Sequence, residues 1–277
     1  MHPLISTEAL AARLGAPDLR VVDASWHLDG RDARAAWRQA RIPGAVFFDL
    51  DAVSDPDTDL PHMLPPPQRF AEAMGALGMA ADDHVVVYDA QGLFSAARAW
   101  WSLKAMGVTR VQVLDGGLPK WRAEGRPLES GPAPAPPPAL FRPAFRPEAV
   151  AGLEDVRRML TEGSAQVADA RPAARFRGEA PEPRPGLRSG HMPGAVSLPF
   201  PELLNPDGTM KDASGLRAAF AAAGVDPERP VTATCGSGVT AAIVVLALAV
   251  LGHEAAVYDG SWAEWGGRDD TAVAAGP

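Results

Sequence analysis

The stretch VTATCGSGVTAAIVVLALAV, residues 231–250, changes character twice. Val231 to Thr234 is β-branched in the main and suits a buried strand. The loop Cys235 to Thr240 carries two glycines, so its backbone is free to curl. Residues 239–251 predict a helix, apolar without a break from Ala241 to Leu251. That run is too short for a bilayer, which takes about 20 residues per crossing, and reads as a buried helix. A strand that passes through a tight loop into a helix is the βα unit of a parallel sheet, and ligands of such sheets bind at the carboxyl ends of strands. Cys235, the only cysteine in 277 residues, stands at such an end.

Outward from this stretch the alternation continues. LEDVRRMLTEG (153–163) predicts a helix and QVADA (166–170) a strand. LRAAFAAAG (216–224) predicts a helix ending at glycine, and AAVYDG (255–260) a last strand. The pattern then recurs upstream. VVDASW (21–26) matches VADARP (167–172), and RIPGAVFFDL (41–50) matches HMPGAVSLPF (191–200). VVVYDAQG (85–92) matches VTATCGSG (231–238), and VLDGGLPKW (113–121) matches VYDGSWAEW (257–265). The offsets are 146, 150, 146 and 144 residues, in one order, which indicates a duplicated domain. The expected fold is α/β: two tandem domains, each a mainly parallel sheet flanked by helices. The proline-rich GPAPAPPP (131–138) favours extended backbone. The expected boundaries are therefore 1–126, a linker at 127–147, and 148–277.

Composition narrows the chemistry. Hydrophobic residues make up 47% and charged residues 22%, a globular balance. A net charge of −8 argues against nucleic-acid or anionic-membrane partners. One cysteine excludes an intrachain disulfide, and the six histidines are scattered, so no metal site is expected. The first residues, MHPLISTEALAARLG, lack the basic-then-apolar order of a secretory signal, so a cytoplasmic protein with a reduced thiol is expected.

In the loop CGSGVT, successive N–H groups can converge on an anion, and the following helix adds its positive end. A thiol there is expected to be acidic and partly thiolate. An isolated cysteine is also commonly a small buried apolar group, and the local sequence leaves both readings open. The duplication favours the nucleophile, because the other copy has Asp89 at the corresponding position. Gly236 to Ala241 formally fits a dinucleotide fingerprint, but only 36 residues follow it, and the other copy lacks the glycine pair, with Ala90 at the place of Gly236. A cysteine-dependent phosphatase wants arginine six positions after the cysteine, where this chain has Ala241.

The duplicated domain, the RIPGA and HMPGA segments, DGSWAEW (259–265) and the loop CGSGVT resemble the two-domain rhodanese-like sulfurtransferases over essentially the whole chain. Within that family the neutral loop is similar to that of 3-mercaptopyruvate sulfurtransferases, whereas thiosulfate sulfurtransferases carry a basic loop of the type CRKGVT. The resemblance implies sulfur transfer from 3-mercaptopyruvate to an acceptor thiol, a thioredoxin-like partner among the candidates, or to cyanide, through a Cys235 persulfide and with no cofactor. It implies that Gly236, Ser237, Gly238, Val239 and Thr240 cradle the substrate. Matching RFRGEAPEPR (175–184) to the family's substrate segment places the carboxylate-binding arginines at Arg175 and Arg184. Arg171, Arg177 and Arg188 read as a solvated basic face. The segment FFDLDAVSDPDTDLPHMLP (47–65) resembles the family segment that brings Asp51 and His62 to Ser237 as a triad. Its plain reading is an aspartate-rich polar loop. Asp23 and Asp115 recur as Asp169 and Asp259, which points to a shared structural role. The competing functions are thiosulfate:cyanide transfer and a binding module without catalysis.

Overall fold

Two five-stranded parallel sheets with the same strand order make up the protein. The computed structural model describes residues 1–277, which form two units. The first comprises Met1–Asp55, Leu64–Arg146 and Pro206–Met210, and the second Pro56–Met63, Pro147–Asn205 and Lys211–Pro277. Each unit thus takes in a short segment from the other half of the sequence.

In the first unit the strands are β1 (Leu4–Ile5), β2 (Leu19–Asp23), β3 (Val46–Phe47), β4 (His84–Tyr88) and β5 (Val111–Leu114). They lie in the order β1-β5-β4-β2-β3, all parallel. Helices α1 (Thr7–Ala11), α2 (Ala33–Gln39), α3 (Leu50–Val53), α4 (Pro67–Ala76), α5 (Ala96–Ala105) and α6 (Gly117–Ala123) connect them. Every residue of β4 is buried, as a central strand covered on both faces requires. Trp100, Trp101 and Trp121 are core residues here. The proline-rich stretch has few N–H groups to offer a sheet, and its end is tied down singly. Ala139 N–H donates to Gly75 O (2.9 Å), Ala144 N–H to Met106 O (2.9 Å), and the Phe141 ring packs edge-on against Phe70.

The second unit repeats the plan with β6 (Val150–Ala151), β7 (Gln166–Asp169), β8 (Val196–Ser197), β9 (Val231–Thr234) and β10 (Ala256–Tyr258), in the order β6-β10-β9-β7-β8, again all parallel. Its helices are α7 (Leu153–Glu162), α8 (Ala173–Phe176), α9 (Ala213–Ala223), α10 (Ala241–Val250) and α11 (Ser261–Trp265). Glycines close α7 and α9: Gly163 and Gly224 are left-handed, which frees the last turn to end. The first eight residues of α10 are all buried, the expected fate of a helix that is apolar all round. Each buried Leu, Ile or Val there contributes about 1.5–3 kcal/mol relative to exposure. Trp262 and Trp265 are core residues of this unit.

The repeat extends to single hydrogen bonds. Asp23 Oδ1 accepts from Ser25 N–H at 2.9 Å and Asp169 Oδ1 from Arg171 N–H at 3.0 Å. Ala24 N–H reaches Tyr88 O at 2.9 Å, as Ala170 N–H reaches Thr234 O at 2.8 Å. These bonds close the carboxyl ends of the two central strands in each sheet, where the loops that follow are aimed. No helix is long and apolar enough to cross a membrane.

Candidate active site

Cys235 follows β9 directly and is buried. Its carbonyl accepts the Trp262 N–H at 3.0 Å, and the Gly236 carbonyl accepts the Ala263 N–H at 2.8 Å. The start of α11 therefore supports the loop from behind. Cys235 N–H donates to Ser261 Oγ at 3.3 Å, and that hydroxyl donates to Tyr258 O at 2.8 Å. Ser261 has φ 49, a left-handed conformation rare for a residue with a side chain. The first copy has Gly117 at this place, with φ 53. A Cβ on Gly117 would lie 2.6 Å from Asp89 O. The second copy accepts the strained backbone and gains a hydroxyl against the Cys235 amide. Sequence reading missed Ser261, although the contrast of DGG (115–117) with DGS (259–261) held the signal.

Gly238 supplies the curl of the loop with φ 77, Val239 is buried, and Thr240 is the N-cap residue of α10. Ser237 is buried, and its Oγ lies 2.9 Å from Nδ1 of His62. His62 is buried as well, on the segment 56–63 that belongs to this unit, and has φ 63. Left-handed histidine costs about 1–3 kcal/mol and concentrates at functional sites. The structure thus joins two members of the expected triad. Asp51 lies on α3 in the first unit, where its Oδ2 accepts from the Trp26 indole N–H at 3.3 Å.

The first copy shows what such a loop holds. Asp89 Oδ1 accepts the Gln91 N–H at 2.8 Å, and Oδ2 accepts those of Phe94 and Ala96 at 2.7 and 2.9 Å. An anion therefore fills the curl, supplied by the chain itself. At the offset of 146 residues the corresponding amides are those of Ser237, Thr240 and Ala242, and Cys235 replaces Asp89.

Arg175 lies on α8, and a Cβ built on Gly236 would come within 3.1 Å of its Nη2. A guanidinium thus lies directly against the neutral loop. Arg175 Nε and Nη2 both donate to Glu182 Oε2, the former at 3.1 Å. Arg184 follows in the same loop, half-buried. Arg177 is half-exposed and paired with Glu179, in keeping with a solvated face. Arg171 and Arg188 correct that reading. Arg188 donates to the carbonyls of Gly266, Trp265 and Thr271 and closes the chain end beyond α11. Arg171 is fully buried, paired with Asp169 and Glu182, and stacked on Trp262 with its guanidinium carbon 4.2 Å from the ring centre. Burial opposes its charge, but the two carboxylates outweigh burial and hold its pKa above the usual value.

The family profile of the rhodanese-like domain matches residues 6–124 and 152–268. The chain belongs to the two-domain rhodanese-like sulfurtransferases. This sulfurtransferase is 46% identical over 273 residues to 3-mercaptopyruvate sulfurtransferase of Escherichia coli, covering 97% of this chain and 96% of that one. It is 45% identical to the human 3-mercaptopyruvate sulfurtransferase, covering 95% and 91%, and 41% identical to thiosulfate sulfurtransferase of Bos taurus with the same coverage. The crystal structure of SseA from Escherichia coli, described as having the rhodanese fold of 3-mercaptopyruvate sulfotransferases, superposes with a TM-score of 0.86 at 43% identity, covering 95% and 99%.

Proposed function

We propose that the sulfurtransferase takes sulfur from 3-mercaptopyruvate and passes it to a thiol or to cyanide, with Cys235 as carrier. The Cys235 thiolate attacks the donor sulfur. The carbon–sulfur bond breaks, its electron pair leaves as the pyruvate enolate, and the proton from the donor thiol completes pyruvate. Cys235 is left as a persulfide. An acceptor thiolate then attacks the outer sulfur and leaves as its own persulfide, restoring the Cys235 thiolate.

The loop amides of Ser237, Thr240 and Ala242 hold the persulfide as the first copy's amides hold Asp89. His62 and Ser237, hydrogen-bonded at 2.9 Å, relay the proton to the enolate. Arg175 and Arg184 grip the carboxylate and ketone. The first unit is the non-catalytic copy, and the enzyme works in the cytoplasm on a thioredoxin-like or small thiol.

The observation that carries this reading is the Arg175 guanidinium against Gly236. It supplies positive charge at the edge of a loop that has none, which suits a donor with one carboxylate better than the thiosulfate dianion. The test compares initial rates with the two donors and weighs the intact protein after each. Gain of one sulfur atom from mercaptopyruvate, lost in the Cys235→Ser variant, supports the proposal. Faster turnover of thiosulfate would overturn the choice of donor, and no sulfur gained from either would leave a binding module.

A further inference from the structure

Glu182 has no part in the chemistry above, yet its side chain is 1% exposed beside the arginine assigned to the donor. A buried carboxylate is retained only when paired and hydrogen-bonded. Both oxygens of Glu182 are used. Oε1 accepts from Arg171 Nη1 at 2.7 Å, and Oε2 from Arg175 Nε and Nη2. Arg171 is itself fixed by Asp169, by the Gly190 carbonyl at 2.8 Å, and by the Trp262 ring. Charges alternate along Asp169, Arg171, Glu182 and Arg175, from the end of β7 to the loop after β9.

The duplication shows where this chain of charges is needed. The copy with Asp89 has Ser25 in place of Arg171 and Leu118 in place of Trp262. There the hydroxyl of Ser25 accepts the Ala90 N–H at 2.9 Å. The charged anchor therefore accompanies the cysteine.

We propose that Glu182 is a positioning residue for the donor. By engaging the Nε–Nη2 edge of Arg175, it turns the other edge, both Nη1 protons and one Nη2 proton, toward the space over the Cys235 loop. That edge matches a carboxylate two bonds at a time. A free arginine side chain would have to be ordered by each donor that binds, whereas this one is ordered in advance. The inference rests on the reading of Arg175 as donor clamp.

The test is a double-mutant cycle on the full chain with 3-mercaptopyruvate as donor, using Glu182→Gln, Arg175→Ala and the pair. Melting temperature and sulfur loading at saturating donor are followed alongside. Glu182→Gln should raise KM about tenfold while kcat falls by no more than about threefold, because what is lost is orientation on binding. In the Arg175→Ala background the same change should add little, since Glu182 acts through Arg175. Glu182→Asp, which keeps the charge, should recover part of the lost KM, and it takes over the cycle if the Gln variant does not fold. Additive effects, or an unchanged KM in Glu182→Gln while Arg175→Ala raises it, would overturn the positioning role and leave the clamp standing. An unchanged KM in Arg175→Ala would overturn the clamp itself, and the positioning role with it.

Discussion

Asp89 accepts the Phe94 amide at 2.7 Å, at the point of the first sheet where the second sheet carries Cys235. With the Gln91 and Ala96 amides it forms a closed set, an anion and the loop that holds it. The same curl opens α5 in one copy and α10 in the other. Divergence after duplication therefore left the loop's geometry in place and changed the atom at its centre.

Asp89→Ala would leave three amides without their acceptor, one of them on Ala96, the first residue of a buried helix. Charge-assisted bonds of this kind are worth about 1.5–3 kcal/mol each, and the bonds are not independent. Stability of the first unit should drop by about 3 kcal/mol or more, read from urea unfolding. Folded protein should still load sulfur on Cys235. A drop under about 1 kcal/mol would mean that water replaces the carboxylate.

His62 separates backbone strain from chemistry. At φ 63 the left-handed conformation is easy for glycine and strained for alanine. His62→Gly should be more stable than His62→Ala by about 1 kcal/mol. Both should slow transfer by about a hundredfold if His62 moves the proton. Equal activity in either variant and the parent would remove His62 from the proton path and leave it as a structural partner of Ser237.

Much of this was legible in the sequence. Alternating β-branched and helical runs gave the strand order's raw material, and the repeat of VxDA, PGAV and the DG–W pattern made two equal sheets necessary. Cys235 and its loop could be read because glycine spacing is a backbone property that local sequence carries. Arg171 and Glu182 could not. They sit 11 residues apart in a loop dense with proline and arginine, a composition that reads as solvated. Their burial comes from pairing with each other and with Asp169, and pairing is a property of the folded loop. Ser261 escaped for a similar reason: its value lies in a φ that sequence assigns to glycine.

Asp23 gives the protein a pH signature of definite sign. Burial pushes its carboxyl up to about 6, against the hydrogen bonds from Ser25 and Tyr88 and with a smaller push from the Asp89 charge. Unfolded, it releases its proton near 3.8. Between these values the folded state binds more protons, so stability falls as pH rises through the window and stays lower above it, by about 3 kcal/mol. Urea midpoints across the window should show the Asp23→Asn variant gaining on the parent as pH rises. Parallel curves would refute the shift.

Gly236 tests whether the guanidinium beside the loop is held or merely near. Its φ is not in the left-handed range, so alanine there meets no backbone strain. The added Cβ would stand 3.1 Å from Arg175 Nη2, a few tenths of an ångström too close. A free side chain would move aside at no cost. Glu182 holds that same Nη2 together with Nε, so Arg175 cannot swing away freely and the contact must displace the guanidinium from its aim. A 1 Å misplacement can cost about a hundredfold, and a smaller one should raise KM for mercaptopyruvate about three- to tenfold. In the Glu182→Gln background, where the guanidinium is loose, Gly236→Ala should raise KM by much less. If the increase is the same in both backgrounds, alanine disturbs the loop itself, and the neutrality of CGSGVT has a reason other than room for Arg175.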